Sequence, residues 1–351
     1  MYSSNKKVLV LYNQPKSRFF GGIYHYVFGT FKEGETFFTP TIYNLNEGYA
    51  IHSRGKLSLL SVFVNLKAIG KFFKFYFKGN FDILHLHTSR SWPLLRDMLL
   101  INLLFILDFR KKSKYFLHIH YDTRNLFDSK TMQKIFVYIL NKASYEIIVL
   151  SNVFKIGSSR HCHVLNNYSL MEPFHVKKEK IILFVGSIDE RKNVLKALEW
   201  FLKSELNNNW KFLICGIGEG KYFNDFLEIL SQSESLEYLG YLSQPELNSI
   251  YAKSAVFILP SLGEGMPIAA IDAMLLNCVV LLSKNVGCHN DLLNFASHLL
   301  LDVLNDESCI NNLNRLANES EIQRDSILIK SMLHNFTKDH HLNQLRKLYE
   351  L

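Results

Sequence analysis

The sequence predicts an α/β protein with two Rossmann-like, parallel-sheet domains in tandem, and three observations lead there. Short, wholly apolar runs alternate with longer amphipathic stretches, the pattern of strands covered on both faces by crossover helices. The alternation pauses once, in a polar stretch at 166–180, and then restarts. The 351 residues suffice for two such domains and exceed the needs of one small core.

Taken in order, Val8–Leu11 reads as the first strand, and Gly21-Gly22 behind it opens a helix. Ile83–His87, Phe116–His120 and Ile147–Leu150 follow as strands, with helices at 92–107 and 129–142 between them. The second series begins with Ile181–Val185, which ends at Gly186. Val194, Leu195, Leu198, Phe201 and Leu202 then recur at i, i+1, i+4, i+7 and i+8, one face of a helix. Phe212–Cys215, Val256–Leu259 and Val279–Leu282 are further strands, and a helix starts near Pro267. Leu342, Leu345, Leu348 and Tyr349 stand at helical spacing in a closing helix. The expected division is a first domain at 1–165, a linker at 166–180, a second domain at 181–337 and a C-terminal helix at 338–351. The carboxyl ends of both sheets are expected to face a shared cleft.

Hydrophobic residues make up 48% and charged residues 21%, which excludes a disordered or collagen-like chain. The net charge of +8 divides unevenly. Positions 1–175 hold 23 basic and 10 acidic residues, net +13, whereas 176–351 hold 17 and 22, net −5. Such a split points to a polyanion or an anionic membrane on one side. The five cysteines are widely spaced, without CxxC, so reduced thiols in a cytoplasmic protein are expected. No secretory leader is evident in the N-terminal segment. Met98–Leu107, the longest apolar run, falls short of the ~20 residues that span a bilayer.

The most informative stretch is Leu259-Pro-Ser-Leu-Gly-Glu-Gly-Met-Pro-Ile-Ala-Ala-Ile-Asp272. A strand ends, Glu264 sits between two glycines in the turn, and Pro267 takes a first-turn position of the next helix. The N–H groups at such a helix start suit a phosphate. Glu264 beside them could accept from sugar hydroxyls, or simply cap the helix.

Together with Phe184-Val-Gly-Ser-Ile-Asp-Glu-Arg-Lys-Asn-Val194, Gly216-Ile-Gly-Glu-Gly220 and Leu239-Gly-Tyr-Leu-Ser-Gln-Pro-Glu-Leu247, this stretch resembles the family-4 retaining glycosyltransferases of the GT-B fold (glycosyl transferases group 1). The motifs stand in that family's order and at its approximate spacing. Asp82–His87 and Val164–Tyr168 add weaker features in the first half. The resemblance implies transfer of a sugar from a nucleotide-sugar with retention at the anomeric carbon. It implies no metal or other cofactor, and an acceptor proton taken up by the leaving phosphate.

By that resemblance Lys192 neutralises the donor diphosphate, Glu264 lies by the donor sugar, and Asp272 stands where a glutamate normally binds the ribose. Asp272 is one methylene shorter than that glutamate, and an exposed Asp on an early helical turn is the competing view. Many members carry an arginine where this chain has Ser187; Arg191 could replace it, unless it points to solvent. Gly265, Met266 and Pro267 would lie under the diphosphate, and Gly216 and Gly218 near the nucleotide base and ribose. Those two glycines read equally well as a tight strand-to-helix turn. Gly21 and Gly22 allow a close approach to the phosphates or the acceptor, or serve helix–sheet packing.

His85 and His87, like His118 and His120, share a sheet face by their period of two. Metal-ligand partners at further spacing are lacking, so no metal is expected. His120, read as the last residue of its strand, aligns with the family's active-site histidine, and His87 is a weaker candidate on the acceptor side. Lys67, Lys71, Lys74 and Lys78 fall within about 60° on one helix, with Phe72, Phe73, Phe75, Tyr76 and Phe77 on its other faces. That helix either lies on an anionic bilayer or packs on the sheet with a solvated lysine face. No nucleic-acid-binding pattern accompanies the basic half.

The leading expectation is therefore a retaining glycosyltransferase of hexosyl type acting on a lipid-linked or glycan acceptor in surface polysaccharide biosynthesis. It would be cytoplasmic, and possible membrane contact would be peripheral on the inner face. A GT-B sugar-nucleotide epimerase or hydrolase and a non-catalytic nucleotide-sugar-binding subunit are the rivals.

Overall fold

The computed structural model describes residues 6–13, 22–32, 38–45, 59–108, 113–157, 160–169, 171–172, 176–294 and 296–350, the side chains of 32 and 59–66 excepted. The chain divides into two compact units, Met1–Asn166 with Leu342–Leu351, and Asn167–His341.

In the first unit the order is β1 (Lys6–Tyr12), α1 (Gly22–Val27, continued by a π-helical turn Phe28–Lys32), β2 (Phe38–Asn44), α2 (Leu59–Lys78), β3 (Ile83–Thr88), α3 (Trp92–Leu107), β4 (Lys114–Ile119), α4 (Lys130–Asn141), β5 (Glu146–Val149) and β6 (Cys162–Val164). The strands form one sheet in the order β2-β1-β3-β4-β5-β6, and every pairing is parallel. Parallel neighbours need crossover helices, and the inner strands are buried on both faces, hence their unbroken apolar runs.

The second unit runs through β7 (Glu179–Val185), α5 (Val194–Lys203), β8 (Lys211–Cys215), α6 (Gly220–Leu230), β9 (Leu236–Gly240), α7 (Gln244–Lys253), β10 (Ser254–Leu259), α8 (Ile268–Leu275), β11 (Val279–Ser283), α9 (His289–Leu293), β12 (Leu300–Leu301), α10 (Asp306–Arg315) and α11 (Glu319–Met332). Its sheet has the order β12-β11-β10-β7-β8-β9, again all parallel. At the start of α7, Ser243 and Glu246 form a capping box.

The last helix, α12 (Lys338–Glu350), buries Leu342, Leu345, Leu348 and Tyr349, and its segment from Leu342 onward belongs to the first unit. Tyr349 packs edge-on to Phe38 and donates or accepts a 2.7 Å bond with His85 Nδ1, while the Lys6 ammonium donates to the Tyr349 carbonyl.

Three local expectations change. Asn167, Tyr168 and Ser169, read as linker, are buried in the second unit. Pro267 sits just ahead of α8, whose first residue is Ile268, so it precedes the helix instead of entering its first turn. Among the aromatics of α2, Phe72 and Tyr76 are core residues, and Phe75 and Phe77 are exposed.

Candidate active site

The second unit brings its chemistry to the carboxyl ends of β7, β8 and β10. Gly186 turns the chain after β7, and Gly216 does so after β8 with φ of +150°. A Cβ on Gly216 would lie 1.8 Å from the Gly186 carbonyl oxygen, so no side chain fits. Ile188 N–H donates to the Ile217 carbonyl at 2.7 Å, and a Cβ on Gly218 would stand 2.8 Å from the Ile188 oxygen. Both glycines are thus required by the close approach of two strand-end loops.

The next turn is held by its own side chains. Ser187 Oγ donates to Asp189 Oδ2 at 2.7 Å, and Asp189 Oδ1 accepts from the Lys192 backbone N–H at 2.9 Å. Asn193 adopts the left-handed conformation (φ 57°), which asparagine tolerates better than most residues, and donates from Nδ2 to the Pro260 carbonyl. Leu262 N–H donates to the Arg191 carbonyl at 2.8 Å, lacing this turn to the one after β10. Ser187 therefore orders the loop through Asp189, at the position where the resembled family often has an arginine.

The lacing brings Arg191, Lys192 and Glu264 together. Lys192 Nζ stands 2.6 Å from Glu264 Oε1, and the Arg191 guanidinium pairs with the same oxygen. Arg191 therefore turns toward Lys192 and Glu264 and does not simply extend into solvent. The Glu264 backbone is fixed by Gly287 N–H, which donates to its carbonyl at 3.0 Å. Lys192 and Glu264 side chains are only 12% and 15% exposed, so neither charge is fully hydrated. Burial pushes the Glu264 pKa up, but the charges and hydrogen bonds of Lys192 and Arg191 outweigh it and leave the carboxyl below its ordinary value. Two cations on one carboxylate leave a net positive charge facing any anion that arrives.

Around α8 the geometry is tighter than the sequence suggests. Gly265, Met266 and Pro267 are buried, and the Met266 carbonyl accepts from Asn167 Nδ2 at 2.7 Å. Asp272 is 7% exposed, not a surface residue, and its Oδ1 accepts from Ser169 Oγ at 2.6 Å. Ser169 Oγ in turn accepts from Met171 N–H at 3.0 Å. Ser169 escaped the sequence reading because it lies in a polar stretch whose composition marks only a connection, and Asn167, inside the Val164–Tyr168 feature, had no role assigned to it.

In the first unit, the parallel register of β3 and β4 sets His87 opposite His118 and puts four imidazoles on one face. His85 Nε2 lies 3.2 Å from His118 Nδ1, and His87 Nδ1 lies 2.9 Å from His120 Nε2. Tyr26 and Phe31 pack on the cluster. His120 is half-buried and stands one residue past β4, not within it; its N–H donates to the Thr88 carbonyl. Nitrogens of His85, His87 and His118 lie within 4.8 Å of one another, close enough for a metal. His85 uses both ring nitrogens, toward Tyr349 and His118, and His87 bonds through Nδ1 to His120. Gly22 opens α1, and a Cβ there would meet nothing within 4 Å, so packing does not demand this glycine. Gly21 lies outside the described residues.

This arrangement, a carboxylate held by two cations beside a buried helix start, stands in the second unit of an α/β chain with two six-stranded parallel sheets among the described residues. Residues 171–328, most of the second unit, match the family model described as glycosyl transferases group 1. The chain is 26% identical over 231 residues to a capsular polysaccharide biosynthesis glycosyltransferase of Staphylococcus aureus, an alignment covering 61% of this chain and 62% of that protein. The chain thus spans less than two thirds of that relative. It is 25% identical over 289 residues to an Escherichia coli UDP-Gal:alpha-D-GlcNAc-diphosphoundecaprenol alpha-1,3-galactosyltransferase, covering 74% of this chain and 72% of that one. The sucrose-phosphate synthase structure from Thermosynechococcus elongatus superposes with a TM-score of 0.75 at 14% identity, covering 99% of this chain and 98% of that one. That likeness is one of fold, the GT-B class expected from the sequence.

Proposed function

We propose that the protein is a retaining, metal-independent glycosyltransferase that moves a hexose from a nucleotide-sugar to a lipid-linked or glycan acceptor in surface polysaccharide biosynthesis. The observation that carries this reading is the convergence of Arg191 and Lys192 on Glu264 at the ends of β7 and β10. The family match to the second unit and the sugar-transfer names of both relatives support it.

In this reading Lys192 and Arg191 stabilise the diphosphate as the glycosidic bond to the donor breaks, where negative charge grows. Gly265, Met266 and Pro267 present the α8 start to the same group. Glu264, freed in part from its cations by the diphosphate, orients the donor sugar. Asp272 serves the ribose through whatever capacity Ser169 leaves it, and the loop of Gly216 and Gly218 borders the nucleoside. Gly22, with Gly21, lets the chain come close to a ligand. His120, backed by His87, is assigned to the reacting sugar or acceptor hydroxyl. The acceptor belongs to the first unit, and the exposed lysines Lys67, Lys71, Lys74 and Lys78 meet the anionic membrane that carries it.

The test is a thermal-shift panel of UDP, GDP and their sugars, since a ligand of the folded state raises its apparent stability with concentration. One nucleotide series should shift the second unit's transition, and Lys192→Ala should abolish most of that shift. No shift with any member refutes the donor reading.

A further inference from the structure

In the first sheet the steps β2 to β3, β3 to β4 and β4 to β5 all run the same way. Right-handed crossovers therefore place α2, α3 and α4 on one face as a single layer. The inner sides of these helices are apolar and buried, as Phe72, Leu94, Met98, Leu104, Phe136 and Leu140 show.

Their outer sides are apolar as well. On α3, Leu99, Leu103, Ile106 and Leu107 recur at i, i+4, i+7 and i+8 and are 63%, 43%, 67% and 37% exposed. On α4, Ile135, Tyr138 and Ile139 are 48%, 65% and 41% exposed. Phe77 of α2 is 53% exposed. Scattered exposed apolar residues need no explanation, but a ridge that repeats with the helix period across neighbouring helices does.

Charge identifies what fits the ridge. Neither α2 nor α4 contains an acidic residue, and the single acid of α3, Asp97, is buried against Arg96. Lys67, Lys71, Lys74 and Lys78 on α2 and Lys130 and Lys134 on α4 are exposed on either side of α3. An apolar ridge between two rows of cations matches a surface that is anionic at its headgroups and apolar beneath them. No helix among the described residues is long and apolar enough to cross a membrane, so the contact is lateral.

We propose that the α2–α4 layer docks on an anionic lipid surface, with the α3 and α4 ridge entering the apolar boundary and the flanking lysines on the headgroups. The proposal rests on the membrane-borne acceptor suggested above, which it deepens by making the ridge, and not the lysine stripe alone, the anchor. It does not depend on the donor chemistry of the second unit.

The test is vesicle co-sedimentation of the full chain with phosphatidylcholine alone and with about one third phosphatidylglycerol. The wild type should bind the anionic vesicles. A Leu99→Ser/Leu103→Ser/Ile106→Ser variant should bind about tenfold more weakly at any salt. A Lys67→Gln/Lys71→Gln/Lys74→Gln/Lys78→Gln variant should lose the salt-sensitive part. The thermal shift with nucleoside diphosphate should survive in both variants, which reports that they fold. Wild-type indifference to anionic vesicles, or a ridge variant that binds like wild type, overturns the proposal. So does lipid-free self-association that the same ridge variant abolishes, which would give this face to a second copy. Vesicle binding without any nucleotide shift would instead remove the donor reading and leave this one standing.

Discussion

Both units wind helices around a six-stranded parallel sheet, yet they finish the outer sides of those helices differently. In the second unit α5 buries Val194, Ala197, Leu198, Trp200 and Phe201, and its margin is polar: Lys196 pairs with Glu199 at 3.0 Å and with Asp306 at 3.1 Å. Arg315 ties α10 to α11 through Glu321 at 2.9 Å and the fully buried Asp325 at 2.7 Å. In the first unit the corresponding outer surface of α3 and α4 carries leucine, isoleucine and tyrosine. Charge divides in the same sense, with net +13 over residues 1–175 and net −5 over 176–351. One architecture thus supports two surfaces, one suited to water and one suited to a partly apolar, anionic neighbour.

Substitutions in either unit can break that contrast. The largest effect is expected from Lys192→Ala, which should lower sugar transfer about 10²- to 10³-fold, the usual worth of one group that stabilises a developing anion. Vesicle binding by the same variant should be unchanged; if it falls in step with activity, the two units do not divide the work as argued.

Next comes Gly216→Ala, whose Cβ would meet the Gly186 carbonyl at 1.8 Å. Denaturant unfolding should show a loss of about 3 kcal/mol or more, and a loss under 1 kcal/mol would deny the close approach of the two loops. Ser169→Ala removes the partner of the buried Asp272 and should cost about 1–3 kcal/mol in the same measurement.

The smallest effect concerns pH. The Glu264 pKa is lower folded than unfolded, so its pairing stabilises the protein above the unfolded carboxylate range and is lost as pH falls through the folded pKa. The stability difference between wild type and Glu264→Gln should therefore shrink on acidification below about pH 4.3. A difference that stays constant there would mean that the carboxylate is not held by its cations.

The sequence made the centre of each sheet legible and hid its borders. The strands it marked, β1, β3, β4, β5, β7, β8, β10 and β11, are the inner ones among the described residues, while β2, β6, β9 and β12 are the edges there. An inner parallel strand is apolar on both faces and reads as a continuous run. An edge is not: β2 carries Thr39, Pro40 and Thr41, β9 ends in Gly240, and β6 and β12 have three and two residues. Within the candidate site, Lys192 and Glu264 were legible because the glycines around them punctuate strand ends. The partner Ser169 and the role of Asn167 were not, because a buried polar residue and a solvated one have the same letter. The ridge on α3 was hidden for a related reason: a helix apolar all round does not say which side faces the core.

One consequence follows from the last helix. Tyr349 packs on Phe38 and Phe116, and it is synthesised more than 300 residues after β1, whose Lys6 donates to its carbonyl. The second unit is continuous in sequence and can complete its core while the chain is still being made. The first unit begins first and finishes last. Until α12 arrives, the histidine-bearing face of β3 and β4 lacks the tyrosine that bonds His85, so that face matures only after the second unit has been synthesised.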